Sequence, residues 1–302
     1  MKPGKRKIDK GLQLNYHLML LPGVLLLLIF NYIPMFGLVI AFQKYIPSLG
    51  IRRSSWVGLA NFKYLFSISD FSIKLGNTLI LACANIALDM VVPIIVAILL
   101  NEVRHKLYKS TIQTIVYLPH FLSWVILGFV FSQFFSLDGY LNNMLAVFGM
   151  EKLHFMASNR LFRPMLIVTS TWQSFGWSTI IYLAALTGID PALYESARID
   201  GASRMQRIWS ITLPGMMSVI VLKLILSLGN VLNANFDQVF NLYNPLVYET
   251  ADIIDTYVYR MGLVQSQYSL STAVGLFKSG ISTALIIISY WLSYRFTDYR
   301  IF

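Results

Sequence analysis

Six apolar runs, at 18–42, 76–100, 112–135, 165–186, 216–232 and 272–296, divide the chain into greasy blocks with shorter polar segments between them. A hydrocarbon core of about 30 Å takes roughly 20 apolar residues in a helix that satisfies its own backbone N–H and C=O groups. The runs therefore predict an all-α polytopic membrane protein with six transmembrane helices. Composition agrees, with 56% hydrophobic and 13% charged residues and a mean hydropathy of +0.62, whereas a soluble domain carries about a quarter charged. The fifth run is short for a span unless its proline-marked start also enters the bilayer. Pro22, Pro34, Pro93 and Pro119 fall inside runs, which lipid-embedded helices tolerate because neighbours re-satisfy the freed groups. "MKPGKRKIDK" before the first run imitates a secretory leader, but no small-residue cleavage site follows. An uncleaved span after a basic tail at 1–17 is expected, with the six-helix domain at 18–302.

The net charge of +10 sits in short segments between runs, with no basic-aromatic module of the nucleic-acid-binding kind. With the N-terminus inside, cytoplasmic segments hold 13 lysines and arginines, counting Arg295 at the end of the last run, and external ones 9. That asymmetry predicts both termini in the cytoplasm. It puts Asp237, Glu249, Asp252 and Asp255 outside. There "ADIIDTYVYRMGL" places Ile253, Ile254, Tyr257, Val258 and Met261 on one helical face opposite Asp252 and Asp255, an amphipathic helix packed on the external mouth. "LDGYLNNMLAVFGM" reads as a second. The single Cys83 excludes an intrachain disulfide and reads as a small buried hydrophobe.

The segment between runs four and five faces the cytoplasm in this topology. Asp190-Pro191 is a helix start, and Gly201 is placed to end or bend the helix. Ser203 and Gln206 have capping-box spacing, and Pro214 stops the pattern. Two short helices around a glycine turn make a projection that cannot bury itself in lipid. It is either a partner's docking knob or a routine loop tucked against the headgroups.

Glu195-Ser196-Ala197, Gly201, Ile211 and Leu213-Pro214, with Asp200-Gly201-Ala202 between them, resemble the EAA loop of binding-protein-dependent ABC importer permeases. Ser196 for the first Ala is the one departure. "YHLMLLPG", "WVGLANFKYLF", "ILLNEVR", "YLPHFLSWVI" and "NLYNPLVYETADIIDTYVYR" are similar to the maltose-permease-like carbohydrate branch. The resemblance implies a type I ABC importer fold with a core at about 72–295 and a coupling loop at 190–214 that docks on a cytoplasmic ATPase dimer. It makes Glu195, Ala197, Asp200, Gly201, Ala202, Ile211 and Pro214 coupling residues. It also implies ATP and Mg²⁺ on that partner, a second related permease, a lipid-anchored extracytoplasmic binding protein, an oligosaccharide cargo and a bacterial cytoplasmic membrane.

The chain has no G-x-x-x-x-G-K-[ST] loop to cradle phosphates and no G-x-S-x-G elbow. Its four histidines lack ligand spacing, so neither an enzyme nor a metal site is expected. Asp89, Lys223 and Lys278 fall within runs, where charge is expensive and faces a cavity or partner. Lys278 is expected to snorkel, and Lys223 to reach the interface or pair with a neighbour. Asp89 is either a cavity contact to sugar hydroxyls or a proton relay, or a paired structural carboxylate. Trp172, Gln173 and Trp177 in run four, and Asn233 and Asn235 after run five, are the candidate sugar pathway. The same residue types also build aromatic belts and helix–helix hydrogen bonds. An ion-coupled secondary transporter or channel using Asp89 and Lys223 is the alternative.

Overall fold

The computed structural model describes residues 10–296, and the remainder of the basic tail at 1–9 and the last six residues lie outside them. The described chain is helical apart from loops and one two-stranded hairpin, β1 (Gln43–Lys44) against β2 (Ser55–Trp56). α1 (Lys10–Leu27) runs on through a wide turn at Leu28–Tyr32 to a tight helical end at Phe36–Phe42. After α2 (Ala60–Ser67), α3 (Ser69–Glu102) is a single long rod. α4 (Lys106–Tyr117) and α5 (Trp124–Phe134) form a pair bent by 99°, followed by α6 (Tyr140–Val147) and α7 (Asn159–Thr187). α8 (Pro191–Ile199), α9 (Arg204–Arg207) and α10 (Leu213–Gly229) come next. α11 (Phe236–Leu242), α12 (Ile254–Tyr259) and a last long rod, α13 (Tyr268–Phe296), complete the order.

Among the described residues, four helical segments are long and apolar enough to span by length and composition: Leu14–Phe42, Ser69–Glu102, Arg204–Gly229 and Tyr268–Trp291. The α4–α5 pair counts as a fifth if it is one broken span. The run at 165–186 lies inside α7, which has the length of a span but not the apolarity. It buries Thr169, Ser170 and Ser178 in hydrogen bonds to Gln238, Asn235 and Asp89 of neighbouring segments. The expectation that Pro214 stops the helix pair at 190–214 is corrected. α9 passes through a five-residue wide turn at Ile208–Thr212 straight into α10. Proline lacks an N–H and its ring crowds the carbonyl four residues back; a wider turn just before it relieves both. Leu28–Tyr32 stands in the same relation to Pro34. This continuity gives the short fifth run its missing length.

Leu81, Phe162, Leu166, Leu232, Val239 and Ile253 centre one packed cluster, Leu65, Phe71, Ile254, Tyr257 and Val274 a second, and Ala97, Tyr182, Leu186 and Met216 a third near the 190–214 end. Outside them the surface is apolar: Met19, Phe30 and Phe36 of the first segment are 79%, 70% and 76% exposed. Water does not tolerate a patch of that extent, whereas lipid tails solvate it. Cys83 belongs to this surface, exposed rather than buried.

The segment 244–264 carries polar bolts. Ile253, Ile254, Tyr257 and Met261 are buried as the amphipathic pattern predicts, but Asp252 is fully buried too, not turned to solvent. Its carboxylate pairs with Arg260, accepts from Thr256 Oγ1 at 2.7 Å and lies 3.6 Å from Lys74. Burial disfavours the Arg260 charge, but the hydrogen bond and charge of Asp252 outweigh it and raise the guanidinium pKa above its ordinary value. Arg163 donates to Asn77 Oδ1 at 2.7 Å, and Asn77 donates to the carbonyls of Glu249 and Asp252. Lys278 does not snorkel; it pairs with Asp255. α6 is amphipathic in reverse, with Asn142 buried and Tyr140, Met144 and Val147 exposed.

Candidate functional site

The loop between α7 and α10 is built by local rules. Asp190 accepts from the N–H of Ala192 at 2.9 Å, capping α8. At the other end, Ala202 N–H donates to Ala197 C=O at 2.8 Å and Gly201 N–H to Arg198 C=O at 3.1 Å. This closure requires the left-handed backbone that Gly201 supplies at φ +76°. Ser203 Oγ then accepts from Gln206 N–H at 3.3 Å, and Gln206 Oε1 accepts from Ser203 N–H at 2.7 Å, completing the capping box. Tyr194 and Thr212 hydroxyls meet at 3.0 Å and tie the two helices together. Glu195, Asp200, Gly201 and Pro214 are exposed, and Ala197, Ala202 and Ile211 are half-buried. Ile199 and Met205, 87% and 62% exposed, flank the turn. They did not stand out in the sequence, although apolar side chains beside an N-cap and a left-handed turn were the available signal.

At its other end the same rod reaches a polar cavity. Lys223 projects from α10 and pairs with Asp89 of α3 at 2.9 Å, while also donating to the Asp89 carbonyl at 2.9 Å. Ser178 of α7 donates to Asp89 Oδ1 at 2.7 Å, and the Lys223 ammonium lies 5.3 Å from the Tyr182 ring. Three helices thus meet at one ion pair. The Asp89 carboxylate is paired, and it also lines a cavity of about 360 Å³ with Ser170, Ser174, Asn230, Asn233 and Asn235. Asn85 Oδ1 borders that cavity, enclosed and without a hydrogen-bond partner among the described residues. Asn235 holds a left-handed backbone at φ 50° and donates to Ser170 Oγ at 2.5 Å.

Two further cavities, of about 610 and 490 Å³, continue towards Asp255 and Lys278, and Asn233 borders all three. The result is a furrow of amides, hydroxyls and two neutralised ion pairs, suited to hydrogen-bonding a polyhydroxylated chain. The structure brings Asp89, Asn233 and Asn235 together there, but not Trp172, Gln173 or Trp177. Trp177 stacks on His120 at 4.8 Å, Gln173 donates to the His120 carbonyl at 3.3 Å, and Trp172 packs edge-on against Phe131. Ser170 and Ser174 of α7 line the furrow, and Ser178, one turn further on, holds Asp89; their spacing of four was the legible signal. Among the described residues no group of three His, Cys, Asp or Glu is placed to hold a metal ion.

Comparisons place this architecture. A polygalacturonan/rhamnogalacturonan transport system permease protein, YteP of Bacillus subtilis (strain 168), is 47% identical over 300 residues, 99% of this chain and 94% of that protein. Protein LplB of the same organism is 45% identical over 98% of this chain and 92% of its own length. The crystal structure of a bacterial ABC transporter involved in the import of the acidic polysaccharide alginate contains a chain that superposes with a TM-score of 0.87. That chain is 39% identical, and the match covers 93% of this chain and 96% of that one. A chain of a bacterial alginate ABC transporter solved in complex with an alginate pentasaccharide-bound periplasmic protein is likewise 39% identical, at TM-score 0.87 over 94% of this chain and 95% of that one. Nothing in these matches supports ion-coupled transport. Residues 89–298 match the family of binding-protein-dependent transport system inner membrane components, and the chain belongs to that family.

Proposed function

We propose that this chain is the membrane subunit through which an ATP-driven importer passes acidic oligosaccharides delivered by an extracytoplasmic, lipid-anchored binding protein. The observation that carries the reading is the single rod Arg204–Gly229, which begins in the exposed 190–214 projection and ends beside the polar furrow. A displacement imposed on the projection is delivered to the Asp89–Lys223 junction without an intervening loop. Glu195 and Asp200 offer charge, and Ile199 and Met205 apolar anchors, to a cytoplasmic ATPase that binds ATP and Mg²⁺. One projection serves one ATPase cleft, so a second, related permease completes the pair and covers the open side of the furrow. Both termini are cytoplasmic in this arrangement. An acidic cargo is supported by the polygalacturonan/rhamnogalacturonan system to which YteP belongs and by the alginate importer. Within the furrow, Lys223 and Lys278 are the cations that a cargo carboxylate would reach.

The test is uptake of oligogalacturonate by membrane vesicles carrying the complete importer. Collapse of the proton gradient with ATP held high should leave uptake intact. Loss of uptake under that condition would overturn the reading in favour of ion coupling.

A further inference from the structure

A crevice of about 290 Å³ lies between α4 and α7, away from the furrow. Lys109, Gln113 and Tyr117 line one wall and Ile180, Leu183 and Thr187 the other. The α4 residues are spaced by four and form one stripe. Thr187 lies just before Pro191, which opens the projecting helix pair, so the Lys109–Thr187 mouth is at that end of the molecule. The crevice is cationic and polar at its mouth and becomes aromatic and aliphatic deeper in. Ile115 and Leu118, 66% and 59% exposed, extend the apolar surface beyond it.

Charge singles this place out. Lys74, Lys223 and Lys278, the lysines packed among the helices, each face an aspartate. Lys109 is half-buried and forms no ion pair among the described residues, and neither do Arg104 and Lys106 just before it. An unmatched cation at the mouth of an apolar slot, in a surface solvated by lipid, is complementary to an anionic headgroup carrying acyl chains. We propose that this crevice binds one anionic phospholipid, with its headgroup phosphate on Lys109 and an acyl chain along Tyr117 and Ile180. The site does not depend on the cargo or on the importer reading.

The full chain, purified with its bound partners in mild detergent, is incubated with dioleoyl-phosphatidylglycerol or dioleoyl-phosphatidylcholine, and retained lipid is counted by native mass spectrometry. Phosphatidylglycerol should be retained preferentially. Lys109→Gln should lower its retention about fivefold, the scale of one basic group near an anionic membrane surface. Lys109→Arg should restore it, and Lys152→Gln, at the opposite end, should change nothing. Equal retention of the two lipids, or equal loss in Lys152→Gln, would overturn the proposal. So would displacement of phosphatidylglycerol by millimolar inorganic phosphate, which would mark a free-anion site. If Lys109→Gln does not assemble, Ala184→Trp fills the crevice without touching charge, and unchanged retention there overturns the proposal equally.

Discussion

Gly201 separates two causes that usually travel together, backbone strain and steric obstruction. Its φ of +76° is left-handed, and a Cβ built on it meets nothing within 4 Å in this chain. Gly201→Ala therefore costs only the left-handed penalty, roughly 1–2 kcal/mol. The surrounding closure resists that cost, because the Ala202–Ala197 and Gly201–Arg198 bonds, the capping box and the Tyr194–Thr212 contact all hold the turn. Each such bond contributes about 0.5–1.5 kcal/mol, so the turn should persist. Gly201→Asn costs less, because asparagine visits this region readily. If the ATPase approaches the bare backbone closely, both variants should fold and insert yet lose more than about tenfold of ATP-driven uptake, because each adds a Cβ at the contact. Uptake in vesicles and co-purification of the ATPase are the readouts. Normal uptake by Gly201→Asn with impaired uptake by Gly201→Ala would refute close approach and leave the glycine a backbone role alone.

Asp89→Asn leaves Lys223 partly buried without its counterion. The loss should be ~2 kcal/mol, below the range for a fully buried pair because Asp89 is 28% exposed. Asp89→Asn with Lys223→Met should recover most of it, as followed by thermal loss of the monodisperse peak in detergent. Asp252 is fully buried, so Asp252→Asn strands Arg260, while Lys74 keeps its pair with Asp70, and should cost about 3 kcal/mol. Protease cleavage within 244–264 is the direct measure. Gly176→Ala would set a Cβ 2.0 Å from the Val116 carbonyl oxygen, whereas Gly275→Ala meets nothing within 4 Å. The first should destabilise by about 3 kcal/mol through overpacking, and the second should be neutral in the same thermal assay.

What the sequence disclosed, and what it withheld, follows the range of the interactions. The Asp190 cap, the Gly201 turn and the Ser203–Gln206 box each close within a few residues, so composition and spacing alone could place them. Apolar runs likewise reported the rods, since solvation by lipid acts residue by residue. Asp89 and Lys223 are 134 residues apart, and Asn77 reaches the Asp252 carbonyl across 175; no local pattern encodes such partners. Polar residues in a membrane chain carry a further ambiguity, because a hydroxyl that lines a path and one that binds a neighbouring helix look identical until the face is known. Trp172 and Trp177 were candidates because a planar ring can face a sugar, yet the same rings pack on Phe131 and His120. The small side chains of Ser170 and Ser174 leave the space that large rings would fill. On this helix it is therefore the small hydroxyls, more than the aromatic residues, that border the cavity.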